Sequence, residues 1–204
     1  FEYMREVAHF ECLWAEYNKF FEKAKAESDP QKKRAMARES LLSLRVQMVS
    51  SLKAIFGYLL ATVSNTGELG TIANWEQHNM PDSIEKPAEE LKKLLNAELP
   101  PEARLSRVYE GPARMVVPTL RLSLEAGESL NLKVIILAQN PPQDAALYWR
   151  EMGRGKYHAI PLQKIARSVY SVMLPAPGAD IEYYIKARAG EQDIVFPVTA
   201  PTLN

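Results

Sequence analysis

Leu130-Asn131-Leu132-Lys133-Val134-Ile135-Ile136 carries apolar side chains at 130, 132, 134 and 136. A period of two marks a strand with one face in a core. The same alternation precedes it at Leu120, Leu122 and Leu124, and Ala126-Gly127-Glu128 separates the two runs. It returns at 146–151, 157–162, 169–174, 181–187 and 194–198. Turn signals divide these segments: Asn140-Pro141-Pro142, Gly153-Arg154-Gly155, Pro175-Ala176-Pro177-Gly178 and Ala189-Gly190-Glu191. Seven short strands so closely spaced predict a small β-sandwich over residues 105–204.

Residues 1–104 follow a different period. Tyr3, Val7, Phe10, Trp14, Tyr17, Phe21 and Ala24 alternate four-three spacing, one stripe along one helix. Ser28-Asp29-Pro30 ends that helix and opens a second, which runs to about Ser64. The second helix carries two stripes. One is Leu41, Leu44, Met48, Leu52, Ile55 and Leu59; the other is Leu42, Val46, Val49, Phe56, Leu60 and Val63. A polar loop should follow, then a short helix near 86–96. Two stripes on one helix call for cover on both sides. The expected cover for the second is an absent domain, another copy of the chain or the C-terminal half. The fold class is therefore α+β: an N-terminal long-helix hairpin or bundle, then a seven-stranded sandwich of immunoglobulin or fibronectin III type. Trp149, on the third strand, stands where such sandwiches bury a tryptophan. The first half holds only 3 of the 9 glycines and 5 of the 14 prolines, and the boundary is expected in Glu98-Leu99-Pro100-Pro101-Glu102.

Composition narrows the function classes. The chain has 204 residues, 25 Lys+Arg and 25 Asp+Glu, and so no net charge. A nucleic-acid binder carries a basic excess, and none is present. No apolar run reaches transmembrane length. The single cysteine, Cys12, excludes an internal disulfide. The chain opens at Phe1 in helical register with no signal-peptide pattern, and Pro201-Thr202-Leu203-Asn204 reads as a linker. The expectation is a segment of a longer protein.

The polar stretch Asn65-Thr66-Gly67-Glu68-Leu69-Gly70-Thr71-Ile72-Ala73-Asn74-Trp75-Glu76-Gln77-His78 is the candidate binding surface. Glu68, Asn74, Glu76, Gln77 and His78 supply groups that hydrogen-bond sugars, and Trp75 a ring that stacks on a pyranose. Glu68 and Glu76 are also the one candidate carboxylate pair. Glycosidases set two carboxyl groups about 5 Å apart for retention and about 6.5–9.5 Å for inversion. His9 and Cys12 stand one helical turn apart, but a zinc site needs at least a third ligand, and no metal or cofactor is expected. No phosphate loop, nucleophile elbow or paired Cys-x-x-Cys occurs. Among the sandwich aromatics, strand neighbours face opposite ways. One of Tyr148 and Trp149 therefore points outward, as does one of Tyr183 and Tyr184. An outward aromatic row is a surface on which a glycan can stack.

Several runs carry a family resemblance. They are Ala146-Leu147-Tyr148-Trp149-Arg150, Gly155-Lys156-Tyr157-His158-Ala159-Ile160-Pro161-Leu162, Val169-Tyr170-Ser171-Val172-Met173-Leu174-Pro175 and Ile181-Glu182-Tyr183-Tyr184-Ile185-Lys186-Ala187. Together they resemble the fibronectin-type accessory sandwiches of bacterial polysaccharide-degrading enzymes. The helical half resembles the segment that follows the catalytic barrel in some large bacterial glycoside hydrolases. The resemblance implies a non-catalytic C-terminal region of a larger carbohydrate-active enzyme, docked on the catalytic domain with 68–78 bordering its cleft. It implies carbohydrate as a ligand and a periplasmic or extracellular location. No catalytic residue carries over, because the barrel lies outside this chain. Two other readings stand beside it: an interaction module that dimerises through the Leu41–Val63 stripes, and a small glycosidase built on Glu68 and Glu76.

Overall fold

A computed structural model of the chain describes residues 1–202. The fold is α+β, helices followed by antiparallel sheets. The chain divides into two compact units, Phe1–Thr62 with Gly67–Arg107, and Val63–Thr66 with Val108–Asn204.

The helical unit starts with α1 (Glu2–Ala26). Asp29 then caps α2 (Pro30–Met36), its carboxylate accepting from the Gln31 N–H at 2.8 Å, with Pro30 in the first turn. The helix widens into a π turn at Ala37–Leu41 and continues as α3 (Leu42–Thr62). α1 packs along α3. Phe10, Leu13, Tyr17 and Ala24 of the first stripe's face meet Leu41, Leu44, Met48, Leu52 and Ile55 in one core.

Residues 65–78, expected as a polar loop, are mostly helical. α4 (Thr66–Asn74) runs into π turns at Trp75–Asn79 and Pro81–Glu85, then into α5 (Lys86–Leu95). Asn96 ends α5 in the left-handed region at φ 51°, a conformation asparagine tolerates. Core contacts explain the correction. Trp75, Met80, Ile84, Leu91, Leu95 and Leu99 all enter the helical core and hold this segment against α1 and α3. They also give more cover than one short helix. The second stripe of α3 is consequently not an open face. Val49 is buried, and Leu42, Val46 and Phe56 are half-buried against the core. The first stripe packs inside its own unit, with Leu41, Leu44, Met48, Leu52 and Ile55 buried and Leu59 half-buried against the core.

The second unit has eight strands where seven were expected: β1 (Arg114–Val116), β2 (Leu130–Leu137), β3 (Gln143–Glu151), β4 (His158–Pro161), β5 (Gln163–Ala166), β6 (Val169–Leu174), β7 (Ile181–Ala189) and β8 (Gln192–Phe196). They form two four-stranded antiparallel sheets, ordered β1-β2-β6-β5 and β4-β3-β7-β8. Leu130, Leu132, Val134 and Ile136 from the first sheet share one core with Leu147, Ile185, Ala187 and Ile194 from the second. Three differences produce the count, the first being β1 itself, which no expected segment covers. The expected strand at 120–124 does not form, and Leu122 is fully exposed. The β1 ladder ends before Pro118, which has no N–H to donate. The expected strand at 157–162 is cut at Leu162, so that β4 pairs with β3 and β5 pairs with β6 in the other sheet.

Candidate functional site

Helical winding decides what 68–78 can do. Trp75 is buried, edge-on to Phe10 with ring centroids 6.0 Å apart, and its Nε1 donates to the Tyr3 hydroxyl at 3.3 Å. Both its ring and its polar atom serve the core, so it offers no stacking platform. Asn74, Glu76, Gln77 and His78 are exposed around it, and Glu68 is half-buried on α4. Glu68 and Glu76 are eight residues apart on a helical path, about 12 Å of axial rise. The stretch is a helix with one aromatic anchor and a solvated polar side. His9 and Cys12 are exposed on α1, and His9 Nδ1 faces Glu6 at 3.4 Å. Among the described residues no group of three or more His, Cys, Asp or Glu is gathered to hold a metal. Among them also, no helix is long and apolar enough to cross a membrane.

The most unusual buried group is one that motif and periodicity do not single out. Arg45 is 2% exposed at the centre of the helical unit. It donates from Nη1 to the Ile84 carbonyl at 2.7 Å and from Nε to the Ala103 carbonyl at 3.1 Å. Burial holds its pKa below the usual guanidinium value, and the nearby Tyr17 partly offsets this. Burial pushes the Tyr17 phenol up to about 12. Its hydroxyl donates to the Pro87 carbonyl at 3.2 Å. The signal was present in the spacing, since Arg45 lies four residues after Leu41 and three before Met48, inside an apolar stripe. Its donors end on two backbone carbonyls, so its role is to tie α3 to the turns that end at Glu85 and Ala103.

On the second unit the alternation holds. Trp149 and Tyr183 pack against the core, and Tyr148 and Tyr184 take the opposite face. The two outward rings stack on each other, centroids 4.9 Å apart and 5° from parallel. Tyr157 meets Tyr184 edge-on at 5.0 Å, and the Arg150 guanidinium lies 4.4 Å above the Tyr157 ring. Arg150 Nε donates to Glu182 at 2.5 Å, and Glu182 also accepts from the Gly153 N–H at 3.1 Å. Those two bonds, Arg150's first, hold the Glu182 carboxyl below the usual carboxylate range. This is a braced surface whose ring faces are largely turned on one another. Its bonds fasten the β3–β4 turn, where Gly153 and Gly155 take φ of 68° and 69°.

A cleft of about 230 Å³ opens at one end of the two sheets. Trp149, Glu151, Leu174, Ile181 and the loop 175–179 line it. Trp149 is half-buried, with the His158 ring 5.6 Å away. The Met152 N–H donates to the Asp180 carbonyl at 2.9 Å and ties the end of β3 to that loop. Two distant stretches, 149–151 and 174–181, thus build one concavity with an aromatic ring and a carboxylate in it. No protein-family model matches the sequence, and no curated protein matches it either.

Proposed function

We propose that this chain is a non-catalytic C-terminal region of a larger bacterial carbohydrate-active enzyme. Its second unit is read as an immunoglobulin or fibronectin III-like accessory sandwich. The observation that carries the reading is the strand order. β1-β2-β6-β5 opposite β4-β3-β7-β8 follows the A-B-E-D and C-F-G arrangement of immunoglobulin-type sandwiches, with β4 as an added edge strand. The runs that resemble accessory sandwiches fall on β3, β4, β6 and β7 of that arrangement. The burial of Trp75 in the helical core favours a supporting role for the 66–79 helix over a glycosidase centre. The helical unit is the part that docks on the catalytic domain, and export to the periplasm or cell exterior follows from the enzyme class.

The test is the sequence of the source gene upstream of Phe1. The expected result is a barrel-sized region with acidic residues at strand ends. A start codon directly before Phe1, with no hydrolase region in the gene, overturns the proposal.

A further inference from the structure

We infer that the cleft between Trp149 and Glu151 is a binding site for one neutral saccharide unit. Three observations carry this. The first is size: 230 Å³ is room for about eight waters. That suits a single pyranose ring and falls below the 300–1,000 Å³ or so usual for larger ligands. The second is a pair of polar groups open to a ligand. The Glu151 carboxylate is exposed, and among the described residues it makes no hydrogen bond or ion pair within the protein. The Trp149 indole N–H makes none either and is not sealed from solvent. Water satisfies both groups in the free protein, and a ligand that displaces it must supply the same bonds. The third is the wall: Leu174, Pro175, Pro177 and Ile181 make it apolar.

A pyranose suits this set by chemical type. Its C–H face lies on apolar and aromatic surface. Its vicinal hydroxyls donate to the two carboxylate oxygens and accept from the indole N–H. A cation matches less well, because cation cages enclose the charge with several aromatic faces and this cleft has one ring. An acidic sugar is repelled by Glu151. Trp75, Glu68 and Glu76 are not involved. The inference rests on the carbohydrate reading above for its choice of sugar among polyols, but its test is independent of the parent gene.

The experiment uses the whole chain, labelled with nitrogen-15, and follows the three tryptophan indole N–H signals. Trp149→Phe assigns the Trp149 signal. The probes are the methyl glycosides of glucose, galactose, mannose, xylose and N-acetylglucosamine, with tetramethylammonium as the cationic control. Each is added to about 10 mM, roughly ten times a millimolar Kd. The expected result is a saturable shift of the Trp149 signal with at least one glycoside, while Trp14 and Trp75 stay still. Glu151→Gln, which breaks no bond in the fold, should weaken that binding about tenfold. Gly178→Leu should abolish it. A Cβ at Gly178 meets nothing within 4 Å, so the fold accommodates the variant, which adds a bulky group to the lining of the cleft. No Trp149 shift with any glycoside overturns the inference and leaves the gene test to decide the parent reading. A shift with tetramethylammonium alone overturns it in favour of a cation site. Glycoside shifts confined to Tyr148 and Tyr184 overturn it in favour of the outer sheet face.

Discussion

Arg45 Nη1 donates to the Ile84 carbonyl oxygen at 2.7 Å, a buried cation held by backbone and not by a carboxylate. The second bond, to the Ala103 carbonyl, completes a bracket across three separate stretches of the helical unit. The Ala103 carbonyl closes the short turn Pro101–Ala103 and lacks a partner within it, and a buried carbonyl without a donor is costly. Arg45→Ala removes both donors and opens a cavity. Its expected cost is about 3–5 kcal/mol. Arg45→Met keeps the volume and relieves the buried charge, at about 1–3 kcal/mol. Urea unfolding followed by far-UV circular dichroism measures both. An Arg45→Ala chain as stable as the parent would show that the bracket contributes nothing.

Tyr17 gives the same core an alkaline limit. Its hydroxyl bonds the Pro87 carbonyl, and burial raises its pKa to about 12 from the ordinary 10.0. A raised folded-state value means that the neutral phenol is favoured in the fold. The resulting stability is fully present below pH 10 and is lost as pH rises towards 12. A rise from 10.0 to about 12 corresponds to about 2–3 kcal/mol. Tyr17→Phe forfeits the Pro87 bond, about 0.5–1.5 kcal/mol, but has no phenol to ionise. The parent should therefore be the more stable of the two at pH 8 and the less stable at pH 12. Denaturation curves that stay parallel across that range would contradict this.

Trp75 separates the core and solvent sides of the 66–79 helix. Trp75→Ala removes the Phe10 contact and the bond to Tyr3, at an expected cost of about 3–5 kcal/mol. Glu76→Gln and His78→Ala alter exposed side chains and should change stability by no more than about 0.5 kcal/mol. Thermal unfolding of the three variants tests the contrast. Equal effects at all three positions would argue that the stretch is a loop with no fixed inner face.

Periodicity made α1, α3 and the strands β2, β3, β6, β7 and β8 legible, because each buries one face at a period of 3.6 or 2. The failures have physical causes too. The 66–79 helix contains Gly67, Gly70 and Asn74, poor helix formers, and its buried Trp75 is five residues from Met80, the next buried residue just past its end, a π spacing that no 3.6-period reading finds. β5 is exposed at all four residues, so it has no apolar signal and exists through its pairing with β6. Leu120 and Leu122 show the reverse case, since alternation without a ladder partner gives no strand. At the cleft, Trp149 was legible as a strand tryptophan. The wall at 174–181 comes from a stretch far along the chain, and only the fold brings the two together.

Glu182 sets the acid limit of the β3–β4 turn. It accepts from Arg150 and from the Gly153 N–H, and these bonds lower its pKa below 4.5. A lowered folded-state value means that the ionised form is favoured in the fold. The contribution is present above pH 4.5 and is lost as pH falls through the folded-state value. Followed by nuclear magnetic resonance, the Gly153 amide should titrate with a midpoint below 4.5. Glu182→Gln should remove that titration and raise the hydrogen-exchange rate of Gly153 at neutral pH, while the Tyr148–Tyr184 stack farther along the strands stays in place. Loss of the clasp should remain local because Gly153 and Gly155 already favour the turn without it. A Gly153 midpoint at or above 4.5, or exchange unchanged in Glu182→Gln, would show that the carboxylate does not hold the turn.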